Sequence, residues 1–139
     1  MTRFLFATLL AASLLLAPTT YAAGTQAYKT LRSAHIFSFG GVGIVGKRTP
    51  EENAYDTLIR APDAEHQFRS LLGEPSTTPA GRLYALYGLR QLRVPDYWAL
   101  NRTYRHDHTP VDTAFGCMVG RQEVAELVRS YINRAYAIK

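Results

Sequence analysis

The sequence predicts a mostly α-helical fold, a compact single domain of about five helices in antiparallel pairs, preceded by a glycine-rich loop. Three observations predict it. Apolar residues recur at helical spacing along the second half of the chain, Thr49-Pro50 and Thr78-Pro79 are typical helix starts, and short links with proline or glycine separate the helices. A length of 139 residues allows one domain.

The first 22 residues have the three-part pattern of a secretory signal peptide. Arg3 gives a positive start, residues 4–17 form an uncharged apolar run, and Thr20 and Ala22 place small residues at the −3 and −1 positions. The run is shorter than the roughly twenty residues that a membrane anchor needs. We expect residues 1–22 to be cleaved and the mature protein to be periplasmic, without stable membrane insertion.

Residues 23–48 are predicted to form a lead-in and the glycine-rich loop. Residues 35–39 could form a short extended segment, and residues 41–46 match the dinucleotide fingerprint G-x-G-x-x-G. Phosphate binding needs the last glycine at the start of a helix, and here the helix begins only after Thr49. The motif therefore favours a structural turn. An alternative is a plug that enters a partner's cleft, which makes Gly41, Val42 and Gly43 candidate partner-binding residues.

Residues 49–139 are predicted to form the helical domain. Helices are expected after Thr49-Pro50, Asp63, Thr78-Pro79 and Val94-Pro95, and the last from about Arg121. Residues 109–120 are predicted to be an irregular or short extended crossover. Gly81 and Gly88 are seven positions apart and therefore share a helix face, which would let another helix approach closely.

Arginine and aromatic residues are concentrated between positions 90 and 105. These residue types dominate protein–protein hot spots. Trp98 is expected to pack in the core, since large aromatic residues are usually well buried, and a place in a partner interface is the alternative. Arg102, Tyr104 and Arg105 lie near a predicted helix end and are the candidate partner-binding residues of this segment.

The chain contains a single cysteine, Cys117, which excludes an internal disulfide. Its apolar neighbours favour a buried thiol that packs as a small hydrophobic group. A Cys–His hydrolase and an intermolecular disulfide stay open as alternatives. The pair His106 and His108 has no matching second ligand pair elsewhere, so we predict no metal site. The sequence has no convincing catalytic constellation, and we predict no cofactor and no enzymatic activity.

The formal net charge is +5, and removal of residues 1–22 takes away Arg3 and no acidic residue. So mild an excess does not indicate nucleic-acid binding. It suits an acidic protein partner or an anionic cell-wall polymer.

Two stretches together carry a resemblance to a known group. They are residues 39–46 followed by Thr49-Pro50-Glu51-Glu52, and residues 78–89, with Gly116-Cys117 further on. The chain resembles small exported bacterial proteins of largely uncharacterised function, among which immunity to type VI secretion amidase effectors is the best-defined role. The resemblance implies a periplasmic, non-enzymatic helical protein that binds a peptidoglycan amidase and occludes its cleft, alone or as a homodimer. The alternatives are a hydrolase that depends on Cys117 and an envelope protein that binds anionic wall polymer.

Overall fold

The protein has an α+β fold in which helices pack against a small mixed sheet. The computed structural model describes the backbone of residues 18–134 and the side chains of residues 22–134. Its elements follow one another as α1 (Pro18–Arg32), β1 (Ile36–Val42), α2 (Pro50–Ile59), α3 (Ala64–Gly73), α4 (Pro79–Gln91), α5 (Tyr97–Tyr104), β2 (Pro110–Gly116), β3 (Met118–Glu123) and α6 (Val124–Leu127), which continues as a π-helical turn (Val128–Ile132).

The prediction of a mostly α-helical bundle is wrong, because three strands form a sheet in the order β1-β2-β3. The crossover expected at residues 109–120 is most of a hairpin, and residues 121–123, expected to begin the last helix, complete β3. Residues 124–132 keep the apolar spacing of a helix, and that pattern does not show where the preceding strand ends. The start of α6 is set by the pairing of β3 with β2, since Arg121 lies opposite Asp112 and Glu123 opposite Pro110.

The lead-in expected at residues 23–34 is also helical, as most of α1. Ala27 and Leu31 are buried four positions apart on one face of this helix, and Ala34 is buried just after it. These residues belong to the main hydrophobic core. Packing on the domain therefore stabilises a helix whose own sequence, with Gly24 and several polar residues, is a weak helix former.

The helix starts predicted at the two Thr-Pro pairs are confirmed. The Thr49 side chain accepts a hydrogen bond from the backbone N–H of Glu52, and that of Thr78 accepts one from Gly81. Each pair thus satisfies a backbone donor that the first helical turn leaves free.

The close helix approach predicted for the two glycines of α4 is confirmed as well. A methyl group on Gly88 would lie 2.5 Å from the ring of Phe68 on α3, and one on Gly81 would overlap the carbonyl oxygen of Leu31 on α1. Both neighbours can pack directly on α4 because these positions have no side chain.

The sheet covers the core with aromatic residues. Phe37 on β1 is fully buried and contacts the rings of Tyr84, Phe115 and Tyr131 edge to face. β1 and β2 run parallel with Phe37 opposite Thr113, and β2 and β3 form an antiparallel hairpin. Because β1 and β2 are parallel, the segments that leave them emerge at the same end of the sheet.

Candidate functional site

Two turns lie side by side at the end of the sheet where β1 and β2 terminate. The backbone N–H of Gly43, just after β1, donates to the carbonyl oxygen of Gly116 at 2.9 Å. The first turn is closed by two hydrogen bonds between Val42 and Lys47, of 2.8 and 3.0 Å. The second is the two-residue connection Gly116-Cys117 between Phe115 and Met118, which lie opposite each other.

Glycine is required in both turns because the backbone adopts left-handed conformations there. Gly41, Gly43 and Gly46 have φ angles of +73°, +76° and +63°, and Gly116 has +60°. Gly41 also contacts the backbone of Gly46 so closely that a methyl group could not be accommodated. Residues 41–46 thus form a tight turn rather than a phosphate-binding loop.

These turns present apolar side chains to solvent. Ile44 is 97% exposed and Val45 93%, while Met118 and Val119 on the neighbouring hairpin are 74% and 72% exposed. Adjacent large apolar side chains this exposed are uncommon on a monomer surface and mark interaction sites. We refer to Ile44, Val45, Met118 and Val119, with the turns that carry them, as the apolar tip.

A buried carboxylate anchors the base of the first turn. Glu52 is 4% exposed, and its two oxygens accept hydrogen bonds from the backbone N–H groups of Gly40 at 3.0 Å and Gly41 at 3.3 Å. Arg48 lies 3.3 Å from the same carboxylate and also pairs with Asp56. Glu52 therefore ties the end of β1 to the first turn of α2 and compensates for its own burial.

The edge of the apolar tip is basic. Lys47 is exposed and has no ion pair among the described residues, whereas Arg48 is neutralised by its two carboxylate partners. The hydrogen bond from Arg48 to Asp56 raises the pKa of this guanidinium above its ordinary value. The surface thus combines an apolar centre with a positively charged neighbour, a pattern that suits a partner with an apolar, acidic cleft.

The structure separates the predicted partner-binding residues into two groups. Gly41, Val42 and Gly43 lie at the base of the apolar tip, beside the last residue of β2. Arg102, Tyr104 and Arg105 lie at the end of α5 and in the link that leads to the first residue of β2. The length of β2, roughly 20 Å at about 3.3 Å per residue, lies between the two groups.

In the second group, Arg102 and Arg105 are exposed and Tyr104 is half-buried. Burial raises the pKa of the Tyr104 hydroxyl above its ordinary value. Arg105 offers its backbone carbonyl to the guanidinium of Arg129 at 3.5 Å, so this end of the sheet carries several positive charges.

The expectation that Trp98 packs in the core is wrong. Its side chain is 54% exposed, and the guanidinium of Arg90 lies 4.8 Å from its ring centroid. Tyr97 occupies the buried position instead, at 2% exposure, and its hydroxyl donates to Asn133 at 2.9 Å. Helical spacing could not distinguish these two neighbours, because either could have faced the core.

Cys117 is exposed at the apex of the hairpin, so the expectation of a buried thiol is wrong too. His108 lies before the first residue of β2 and pairs with Glu123 at 2.7 Å, while Cys117 follows the last residue of β2. His35 precedes the parallel strand β1 and is therefore at the far end as well. Within the described residues, no group of three or more His, Cys, Asp or Glu side chains could hold a metal ion.

Sequence reasoning found the first turn but missed the second half of the apolar tip and its anchor. A signal for the hairpin exists: Gly116-Cys117 between alternating residues fits a two-residue turn with glycine first. The role of Glu52 had no such signal. Thr49 followed three positions later by Glu52 has the pattern of a capping box, which predicts only that Glu52 caps its own helix.

Comparison with known protein families, characterised proteins and solved structures finds no match for this chain. Among the helices of the described part, none has the length and apolar character needed to cross a membrane.

Proposed function

We propose that this chain is an exported, non-enzymatic binding protein that neutralises a cell-wall amidase effector by placing its apolar tip in the enzyme's cleft. The observation that carries the proposal is the pair of adjacent glycine turns that expose Ile44, Val45, Met118 and Val119. The hydrogen bond from Gly43 to Gly116 joins the two turns and Glu52 anchors the first of them, so binding would require little reordering.

The exposed apolar residues can supply enough free energy for such a complex. Full burial of a Val, Ile or Met side chain contributes about 1.5–3 kcal/mol, so the four residues of the apolar tip would contribute roughly 6–12 kcal/mol. Association costs at least about 4 kcal/mol in lost rigid-body freedom. Tight binding therefore needs polar contacts as well, and Lys47 at the edge of the apolar tip supplies a charge for an acidic cleft.

Two features favour this proposal over a hydrolase that depends on Cys117. No hydrogen bond joins Cys117 to a histidine among the described residues, and two histidines of the chain lie at the opposite end of the sheet. A catalytic thiol needs a nearby base or a positive environment to become a thiolate. Among the described residues, no histidine hydrogen bond supplies such a base to Cys117.

Inhibition of a purified peptidoglycan amidase, in parallel with protection of cells that receive the amidase in the periplasm, tests the proposal. The variant with Ile44→Asp and Val45→Asp should weaken inhibition by at least about 100-fold, because two carboxylates would have to be desolvated in the cleft. The matched control carries Gln26→Asp and Ser33→Asp, which make the same charge change at exposed positions on and just after α1.

A third variant, with Arg102→Asp and Arg105→Asp, asks whether the other end of the sheet binds instead. Loss of inhibition in this variant but not in the Ile44/Val45 variant would refute the assignment of the apolar tip. If the unsubstituted protein inhibits none of the secreted peptidoglycan amidases tested, the immunity role is wrong. Salt-sensitive binding to purified peptidoglycan would then favour the wall-polymer alternative.

A further inference from the structure

We infer that the outer edge of β3 pairs with β3 of a second copy of this chain, antiparallel and centred on Gly120, so that two three-stranded sheets join into one of six strands. The interface is the backbone edge of β3, which includes Val119 of the apolar tip. The inference does not depend on the proposed function. The pairing would leave Ile44 and Val45 uncovered in both copies.

The two edges of the sheet differ in whether side chains satisfy their outward-facing backbone groups. Along β1, the Tyr84 hydroxyl accepts from the N–H of Ser38 at 3.0 Å and donates to its carbonyl at 3.1 Å, and Glu52 accepts from Gly40 and Gly41. Side chains thus satisfy the backbone groups of this edge and close it to another strand.

At the other edge of the sheet, β3 is open within the described residues 18–134. Residues 118–121 are exposed, and β3 has β2 as its neighbour on one side only. β3 has neither a proline nor a lysine, which commonly protect such edges. An open edge of this kind recognises another strand through main-chain hydrogen bonds.

The turn determines which backbone groups of β3 point outward. In a hairpin with a two-residue turn, the flanking pair Phe115 and Met118 is hydrogen-bonded, and pairs then alternate along the strands. Gly120 accordingly faces β2, where its carbonyl also accepts from the Thr113 hydroxyl at 3.3 Å. Val119 and Arg121 direct their N–H and C=O groups away from β2.

Two-fold symmetry leaves few ways to pair these groups, because the same residues must face each other across the axis. A centre at Arg121 would bring two guanidinium groups directly opposite each other, which is unfavourable. A centre at Gln122 would align only residues 121–123, since α6 begins at Val124. A centre at Val119 would pair Arg121 with the turn residue Cys117 of the other copy.

A centre at Gly120 avoids all three problems. Val119 of each copy lies opposite Arg121 of the other, and the two pairs form four main-chain hydrogen bonds. The residue on the axis has no side chain, so nothing obstructs the approach of the strands. Such a strand pair is smaller than the roughly 1,200–2,000 Å² of a stable interface, so the dimer should dissociate readily on dilution.

Gly120→Lys tests the inference, because it places two lysines opposite each other on the axis. The monomer should tolerate the change, since a methyl group at Gly120 would meet only the Thr113 hydroxyl at 4.0 Å. Sedimentation velocity between about 10 μM and about 1 mM should show dimerisation of the unsubstituted protein, weakened at least tenfold in the variant. Gly73→Lys is the matched control, at a glycine with no neighbour within 4 Å.

Two further results are decisive. Mixing Gly120→Lys with Gly120→Glu should restore dimerisation, because opposite charges then meet on the axis. Spin labels on the native Cys117 of the unsubstituted dimer should lie about 20 Å apart, since six residues at about 3.4 Å separate them along the paired strands. A monomer at every concentration, a dimer unaffected by Gly120→Lys, or labels within about 10 Å would overturn the inference.

Discussion

Replacing Glu52 with alanine tests whether this carboxylate holds the apolar tip in place. The change leaves the N–H groups of Gly40 and Gly41 without their acceptor and removes one of the two partners of Arg48. Hydrogen bonds to a charged group contribute about 1.5–3 kcal/mol each. The Arg48 pair adds little because the guanidinium is half-exposed. For the two hydrogen bonds together, we expect the free energy of unfolding to fall by about 3–6 kcal/mol.

Urea unfolding followed by tryptophan and tyrosine fluorescence measures this loss, and amide hydrogen exchange locates it. Exchange should accelerate most at Gly40, Gly41 and the turn that follows. Glu51→Ala is the matched control: it removes the same charge from the same helical turn, where both acids interact with the helix dipole. If Glu52→Ala were within about 0.5 kcal/mol of Glu51→Ala, the anchoring role of Glu52 would be wrong.

Three other perturbations have defined outcomes. Tyr84→Phe keeps the buried ring but removes the hydroxyl that pairs with Ser38, so the free energy of unfolding should fall by about 1–3 kcal/mol in urea titrations; an unchanged value would show that the edge of β1 finds another partner. Gly88→Ala should lower the melting temperature although alanine has the higher helix propensity. The added methyl group forces the buried Phe68 ring to move, at a cost of about 1–3 kcal/mol. A higher melting temperature would contradict the tight packing. Burial raises the pKa of Tyr97 to about 12, so the fold favours the neutral phenol. This contribution to stability is complete below pH 10 and is lost as the pH rises from 10 towards 12. Absorbance at 295 nm should therefore show tyrosinate forming together with unfolding, and non-cooperative titration of all tyrosines near pH 10 would refute this.

Short sequence patterns were sufficient to predict two helix starts and one turn, which depend on only a few neighbouring residues. The Thr-Pro starts of α2 and α4 need only a hydroxyl and a fixed φ angle, and both were predicted correctly. The turn at residues 41–46 follows from its glycines. One half of the apolar tip was therefore visible in the sequence.

The other half depends on pairing between distant segments. Met118 and Val119 join the apolar tip because β2 lies beside β1, more than seventy residues away in the chain. Short strands give a weak periodic signal, and residues 124–132 extended a helical pattern towards them. α1 was missed for a related reason, since the packing of Ala27 and Leu31 on the core stabilises it more than its own propensity does.

The sequence by itself determined the helix starts at the two Thr-Pro pairs and the glycine turns, because each depends on neighbours within a few positions. It also indicated a close approach at Gly81 and Gly88, but the groups that approach them, on Leu31 and Phe68, belong to distant segments. Only the tertiary structure decided that a sheet exists, that Trp98 is exposed while Tyr97 is buried, and that the Glu52 carboxylate binds the end of β1. The physical reason is that burial and strand pairing are set by which distant surfaces meet. The free energies of burial and strand pairing exceed those of the local conformational preferences that can be read from a sequence.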